Sequence, residues 1–82
     1  MIRVLFFAQL REQLQCENLS IELPADLSVT DLREKLIELH PTWLEFLASD
    51  KLLFSVNQTL VKTSHIIQDG DEVAFFPPVT GG

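Results

Sequence analysis

Short segments in which hydrophobic and polar residues alternate recur along this chain, separated by turn residues, a pattern that is typical of β-strands. Both faces of the first segment, residues 2–7, are partly apolar: one carries Ile2, Val4 and Phe6, and the other carries Arg3, Leu5 and Phe7. Such a segment is either an inner strand or one whose second face is covered by a partner. The polar-rich residues 8–14 that follow predict one or two helical turns.

Four more segments of the chain have a composition or alternation that is typical of β-strands. The predicted strands cover residues 19–23, 52–56, 60–62 and 72–76. Pro24 ends the second strand, because proline cannot donate to a strand ladder. Residues 57–59 predict a hairpin turn, since Asn57 tolerates left-handed backbone geometry. Residues 64–68 are a connector with two isoleucines tucked in, and the turn centred on Gly70 precedes the last strand.

The middle of the chain has helical periodicity. Residues 28–31 match a capping box, in which the Ser28 hydroxyl accepts from the amide of Asp31 and that carboxylate reaches back. Apolar residues then follow at helical spacing: Val29, Leu32, Leu36 and Leu39, with Ile37 beside them. Pro41 ends this helix. Residues 42–48 predict a second short helix or an apolar turn.

The order of elements is strand, strand, helix, strand, short return, strand. A mixed sheet of four to five strands packed on one main helix satisfies every apolar face, with the last strand beside the first. We therefore predict an α+β fold of the β-grasp, or ubiquitin-like, type, with short extra helices. The 82 residues make one domain, 1–76, followed by an extended tail, 77–82, that projects from the rim of the sheet.

The acidic composition narrows the classes of partner. The formal net charge is −6, which disfavours nucleic acid and suits a basic protein surface. Cys16 alone cannot form an internal disulfide, so nothing requires an oxidising compartment. No segment is long enough to span a membrane and the first residues lack a full leader pattern, so the expected location is the cytoplasm.

Side chains do not form a conventional catalytic set. Cys16 has no activating neighbour in sequence, and a structural cysteine is the default interpretation. His40 and His65 lack partners at metal-ligand spacing, and the acidic residues around Gly70 indicate a turn rather than a cation loop. No glycine-rich phosphate loop is present, so we expect the chain to bind no metal and no ATP by itself.

The remaining candidate is the end of the chain, Gly81-Gly82, which follows the proline-stiffened run 75–80. Prolines hold a backbone extended, and glycines pass through channels that a β-carbon would block. A carboxylate is a poor acyl electrophile, but after adenylation it can accept sulfur or be linked to an amine. The chemistry would then take place inside a partner that holds the tail in line.

Three stretches carry a family resemblance. Residues 4–12 (VLFFAQLRE), 56–61 (VNQTLV) and above all 69–82 (DGDEVAFFPPVTGG) resemble the small subunit of molybdopterin synthase, a sulfur-carrier family of ubiquitin-like fold. The chain length matches this family, so the resemblance spans the whole chain.

The resemblance implies a carrier of sulfur in molybdenum cofactor biosynthesis. An adenylating enzyme would use ATP and Mg to activate Gly82, and a sulfur donor protein would convert it to a thiocarboxylate. The carrier is then a non-catalytic, sulfur-donating subunit. The large synthase subunit would supply the catalytic side chains, and cyclic pyranopterin monophosphate would receive the sulfur.

The resemblance also assigns contact residues. An apolar docking patch carries over onto Phe7, Leu60 and Phe76, and two small and two large subunits are expected to form a heterotetramer. The segment that enters the large subunit is Pro77, Pro78, Val79, Thr80 and Gly81, ahead of Gly82. Without the resemblance, core packing would explain each phenylalanine equally well.

Three alternatives stay open on the residues alone. A sulfur carrier for thiamine thiazole or another sulfurated product would share the Gly-Gly end, although the approach 75–80 favours the pterin branch. A ubiquitin-like modifier would link the same activated tail to lysines. A β-grasp interaction module would use no covalent chemistry at all.

Overall fold

A computed structural model describes residues 1–22, 26–49 and 51–77. Its elements, in chain order, are β1 (Ile2–Phe6), α1 (Ala8–Leu14), β2 (Asn18–Ile21), β3 (Leu27–Ser28), α2 (Val29–Leu39), a 3-10 helix (Pro41–Trp43), α3 (Leu44–Leu47), β4 (Leu53–Val56), β5 (Thr59–Val61), β6 (Ile66–Ile67) and β7 (Glu72–Phe76). The predicted end of the second strand at Leu23 and Pro24, and the tail beyond Pro77, lie outside the described residues.

Five strands form one mixed sheet in the order β2-β1-β7-β4-β5. The central pair, β1 and β7, is parallel, and the other neighbours are antiparallel. The predicted α+β, β-grasp architecture with the last strand beside the first is therefore confirmed. The first strand is an inner strand of this sheet, which was one of the two interpretations that its two apolar faces allowed.

The core lies between one face of the sheet and α2. Aromatic side chains meet edge to face at its centre: the ring of Phe75 lies 5.5 Å from Phe6 and 5.0 Å from Phe54. Trp43 packs against Phe6 at 5.4 Å. The helix contributes Val29, Leu32 and Leu36, all fully buried.

The capping box that begins α2 is present. The backbone N–H of Asp31 donates to the Ser28 hydroxyl at 3.1 Å, and the Ser28 N–H donates to the Asp31 carboxylate at 3.1 Å. The predicted apolar stripe was wrong at Leu39, which is 51% exposed. Leu39 is the last helical residue, and beyond it the chain turns so that Trp43 fills that end of the core.

The β4–β5 hairpin turns in two residues rather than the predicted three. Asn57 and Gln58 have φ of 50° and 70°, the combination of positive values that matches the right-handed twist of flanking strands. Thr59 is therefore already in β5, opposite Val56, and the predicted return strand at 60–62 was wrong by one residue.

The connector at 64–68 contains a strand that the sequence pattern did not predict. Ile66 and Ile67 form β6, which pairs antiparallel with Ser28 and Leu27 of β3. This small second sheet holds the start of α2, where the Val29 N–H also donates to the His65 carbonyl at 3.0 Å. Two-residue strands are too short to show alternation, so periodicity could not reveal them.

Replacing Ser28 tests the contribution of the capping box. We expect Ser28→Ala to lower the free energy of unfolding by about 1 kcal/mol, because it removes the acceptor for an orphan helix amide. Urea denaturation followed by circular dichroism measures this loss. Ser64→Ala, in an exposed turn, is the control. Equal stability of the two variants would show that the cap contributes nothing.

Candidate functional site

The outer face of the sheet, which points away from α2, carries the predicted contact residues. Strand register places one residue of each of four strands in a single row across this face: Leu5, Ala74, Ser55 and Leu60. Ala74 and Ser55 are each 6% exposed, whereas Leu60, on the edge strand β5, is 68% exposed. The small side chains of Ala74 and Ser55 in the middle of the row therefore project less from the sheet than the Leu60 side chain at its end.

Phe7 and Phe76 form the next feature of the same face. Their rings stack nearly parallel, with centroids 4.9 Å apart and an interplanar angle of 7°. Phe6 is the register partner of Phe75, and the Phe7 N–H donates to the Phe75 carbonyl at 3.2 Å, so the parallel pairing continues past Phe6. Phe7 is 38% exposed.

These residues enclose a shallow depression. Its volume is about 280 Å³, just below the roughly 300–1,000 Å³ of sites for drug-sized ligands. We call the set that lines it, apart from its polar end, the apolar face: Leu5, Phe7, Ser55, Leu60, Ala74 and Phe76.

The structure thus brings the three predicted docking residues, Phe7, Leu60 and Phe76, to one surface. Sequence reasoning missed Leu5, Ser55 and Ala74, which form the floor between them. It also missed Leu53, which is 39% exposed and is the register partner of Phe76 at the margin of the face. Alternation carries a signal for Leu5 and Ala74, because each lies two residues from a predicted docking phenylalanine.

Polar groups close one end of the depression. Gln58 and Glu72 line it there, and the Glu72 carboxylate lies 3.8 Å from the Arg3 guanidinium. An ion pair this exposed contributes at most about 1 kcal/mol, so it marks a boundary rather than holding the sheet together.

The chain leaves the sheet at this face. Phe76 is the last residue of β7, and Pro77 follows as the last residue that the structure describes. The predicted tail residues Pro78, Val79, Thr80, Gly81 and Gly82 lie outside the described residues. The apolar face therefore lies next to the point from which the tail starts.

The other singled-out side chains lie elsewhere. Cys16 is half-buried against the core, and its thiol donates to the Asn18 carbonyl at 3.5 Å. His40 is the C-cap of α2, and its ring stacks on Trp43 at 4.0 Å. Across residues 1–22, 26–49 and 51–77, no three His, Cys, Asp or Glu side chains are grouped so that they could hold a metal ion.

Burial governs the reactivity of Cys16. Desolvation raises the pKa of its thiol, and a hydrogen bond with the Asn18 backbone only partly offsets this. A raised pKa leaves less thiolate at neutral pH, and thiolate is the reactive form.

We therefore expect Cys16 to react with iodoacetamide more slowly in the folded chain than in the chain unfolded by urea. The ratio of folded to unfolded rate should stay below one at pH 7.5, measured by intact mass. Glutathione in both solutions controls for the effect of urea on the reagent. A faster reaction in the folded chain would mean that the thiol is activated.

Fold and site together define a β-grasp protein with an exposed apolar face next to the end of its last strand. No helix in the part of the chain that the structure describes is both long enough and apolar enough to cross a membrane. Residues 4–82 match the ThiS family model.

Two curated relatives match along their whole length. The molybdopterin synthase sulfur carrier subunit of Escherichia coli (strain K12) is 51% identical, over 100% of both chains. The protein of the same name from Haemophilus influenzae is 43% identical, again over 100% of both chains. The chain belongs to the ThiS family and, within it, to the molybdopterin synthase sulfur carrier subunits.

Solved structures agree with this fold. SAMP1 from Haloferax volcanii superposes with a TM-score of 0.82 at 27% identity, covering 99% of this chain and 98% of that chain. A complex of subunits 1 and 2 of the molybdopterin-converting factor from Helicobacter pylori gives a TM-score of 0.68 at 26% identity, covering 99% of this chain and 97% of that chain.

Proposed function

We propose that this chain carries sulfur as a thiocarboxylate on Gly82 and delivers it to cyclic pyranopterin monophosphate in the large subunit of molybdopterin synthase. The observation that carries the proposal is the apolar face at the point where the chain leaves the sheet towards Gly82. The full-length match to carriers of this name supports it. The Helicobacter pylori complex supports a large subunit as the partner.

The length of the tail ties docking to delivery. Six residues, Pro77 to Gly82, separate the sheet from the terminal carboxylate. A fully extended chain of that length spans roughly 20 Å at most. A partner that takes Gly82 into its active site must therefore lie within roughly 20 Å of the end of β7, a distance at which it can also contact the apolar face. The net charge of −6 favours a basic surface on that partner.

Activation requires other proteins. An adenylating enzyme with ATP and Mg would join AMP to the Gly82 carboxylate and release pyrophosphate. A sulfur donor protein would then supply sulfur at the oxidation level of sulfide, which displaces AMP and leaves the thiocarboxylate. The chain itself contributes the acyl group and the docking surface, and we place this work in the cytoplasm.

The main competing function is protein modification. SAMP1, whose structure superposes well, is named a small archaeal modifier protein in a second structure of 24% identity and TM-score 0.80. An activated Gly82 attacked by a lysine amine would give an isopeptide bond, and one attacked by sulfide would give a thiocarboxylate. The 51% identical relative favours the sulfur carrier, and its name favours the pterin branch over thiamine thiazole.

The tail is tested by changing its glycines. We expect deletion of Gly82, or Gly81→Val, to abolish sulfur transfer, because the first withdraws the terminal carboxylate by one residue, roughly 3.5 Å, and the second adds a β-branched side chain near it. Product formation with the large subunit, the activating enzyme, ATP and sulfide measures transfer. Thermal unfolding should be unchanged, since both positions follow the folded domain.

Intact mass of the wild-type chain after activation separates the competing functions. Exchange of one oxygen for sulfur at the terminus supports the carrier. A ladder of isopeptide-linked products without that exchange would contradict it, as would full synthase activity in either tail variant.

A charged residue at position 76 tests whether the apolar face is the docking surface. We expect Phe76→Asp to weaken binding of the large subunit about tenfold or more, because it places an unpaired carboxylate in the centre of the interface. Isothermal titration calorimetry measures the affinity. Leu44→Asp is the matched control, since Leu44 is 53% exposed on α3, away from the apolar face. Equal affinity of the two variants would exclude docking through this face.

A further inference from the structure

The apolar face is assembled from two parts of the sheet that are held differently. Phe76 lies on β7 and Phe7 directly follows its neighbour β1, whereas Leu60 lies on β5, the last strand in the order β2-β1-β7-β4-β5. An edge strand of three residues, joined to the sheet through β4, has few hydrogen bonds of its own to fix it. A further contact must therefore fix the β4–β5 hairpin if the distance between Leu60 and the Phe7–Phe76 pair is to stay constant.

Asn57 at the hairpin turn supplies such a hold. Its side-chain carbonyl accepts from the Glu72 N–H at 3.1 Å, and its side-chain amide donates to the Asp71 carboxylate at 3.0 Å. Its backbone N–H donates to the Glu72 carbonyl at 2.8 Å. Asn57 therefore makes three hydrogen bonds with Asp71 and Glu72, at the start of β7.

Asp71 extends the connection to the preceding turn. Its second carboxylate oxygen accepts from the Gln68 N–H at 2.8 Å, and its own N–H donates to the Gln68 carbonyl at 3.1 Å. Asp71 and Glu72 are half-buried and Asn57 is exposed, so this network lies at the protein surface. The β4–β5 turn and the turn centred on Gly70 are joined by this one pair of side chains.

Backbone geometry and hydrogen bonding together favour asparagine at position 57. The backbone φ of 50° suits Asn, Asp or Gly among the common residues. Glycine would supply the backbone geometry without a side chain. Aspartate would keep the acceptor for Glu72 but would set a second carboxylate against Asp71 where a donor is needed.

We infer that Asn57 is a positioning residue for docking: it holds the Leu60 hairpin against the start of β7, so that Leu60 and the Phe7–Phe76 pair meet the large subunit as one rigid surface. This inference rests on the proposed function, because it takes the large subunit as the occupant of the apolar face. Asn57 itself does not line the depression, so it acts through Leu60.

A charge swap tests the inference. We expect Asn57→Asp to weaken binding of the large subunit about tenfold at pH 7, measured by calorimetry. Adding Asp71→Asn should restore the affinity to within about twofold of wild type. In the double variant the amide at position 71 donates to the new carboxylate, and the acceptors for Glu72 and Gln68 are kept, so all three side-chain hydrogen bonds re-form with no change in net charge.

A double-mutant cycle with Leu60 separates positioning from simple stabilisation. In a Leu60→Ala background, Asn57→Asp should cause less than about a twofold further loss of affinity, because the side chain that it positions is gone. Amide chemical shifts of β5 should move in Asn57→Asp and return in the swap. Thermal unfolding of every variant, with binding measured well below the transition, confirms that folded protein is compared.

The outcomes are distinct. Weaker binding in Asn57→Asp, rescue by Asp71→Asn and non-additivity with Leu60→Ala support the positioning role. If Leu60→Ala weakens binding while Asn57→Asp lowers only the unfolding temperature, the inference is overturned and docking through the apolar face stands. If the wild-type chain does not bind the large subunit, the proposed function fails and this inference fails with it.

Discussion

The parallel pairing of β1 with β7 is the constraint on which the rest of the structure depends. A parallel pair needs a long crossover, and here everything between Phe6 and Glu72 supplies it, including α2. Buried side chains on the core face of the sheet set the register between β1 and β7. Phe6 and Phe75 are register partners and almost fully buried, and burying a side chain of this size is worth about 1.5–3 kcal/mol. The Phe7–Phe76 pair on the outer face is less buried, so its buried area contributes less, and its stacking adds about 0.5–1.5 kcal/mol to that contribution.

The outer face does not contribute comparably to folding. Leu60 is 68% exposed and Phe7 38% exposed, so each gains only part of the stabilisation that burial would give. A sheet face that met only water would carry polar side chains at these alternate positions. Small residues, Ala74 and Ser55, instead leave a depression between large apolar ones. Exposed apolar groups around a shaped hollow are what a protein interface requires, and stability alone does not explain them.

Local signals in the sequence predicted much of this fold. The capping box at Ser28 and Asp31, the last strand at 72–76 and the turn at Gly70 each depend on neighbouring residues, and each appears in the structure. The pairing of β3 with β6 could not be predicted in this way, because two-residue strands have no period. Neither could the link between Asn57 and Asp71, which are 14 residues apart in sequence.

The residues of the candidate site likewise fall into those that the sequence could predict and those that it could not. Alternation together with the family resemblance was enough to select Phe7, Leu60 and Phe76, since each is large, apolar and on an outward position. Ser55 in their floor was missed because a serine in a strand carries no signal of its own, and the alternation that puts Ala74 on the face of Phe76 does not by itself put Ala74 beside Ser55. Only the register across β1, β7, β4 and β5 shows that they share a row with Leu5 and Leu60.

The same geometry explains why a carrier can do without catalytic side chains. In the proposed function the apolar face would fix where a partner sits, and the six residues from Pro77 to Gly82 would limit how far the terminal carbon can reach. Docking would then convert a diffusing acyl group into one confined within roughly 20 Å of a known point. A partner that recognised the face would gain this confinement whatever nucleophile or acceptor it offered. On this proposal a sulfur carrier and a modifier can share a fold, because they differ in what the docked partner supplies to Gly82.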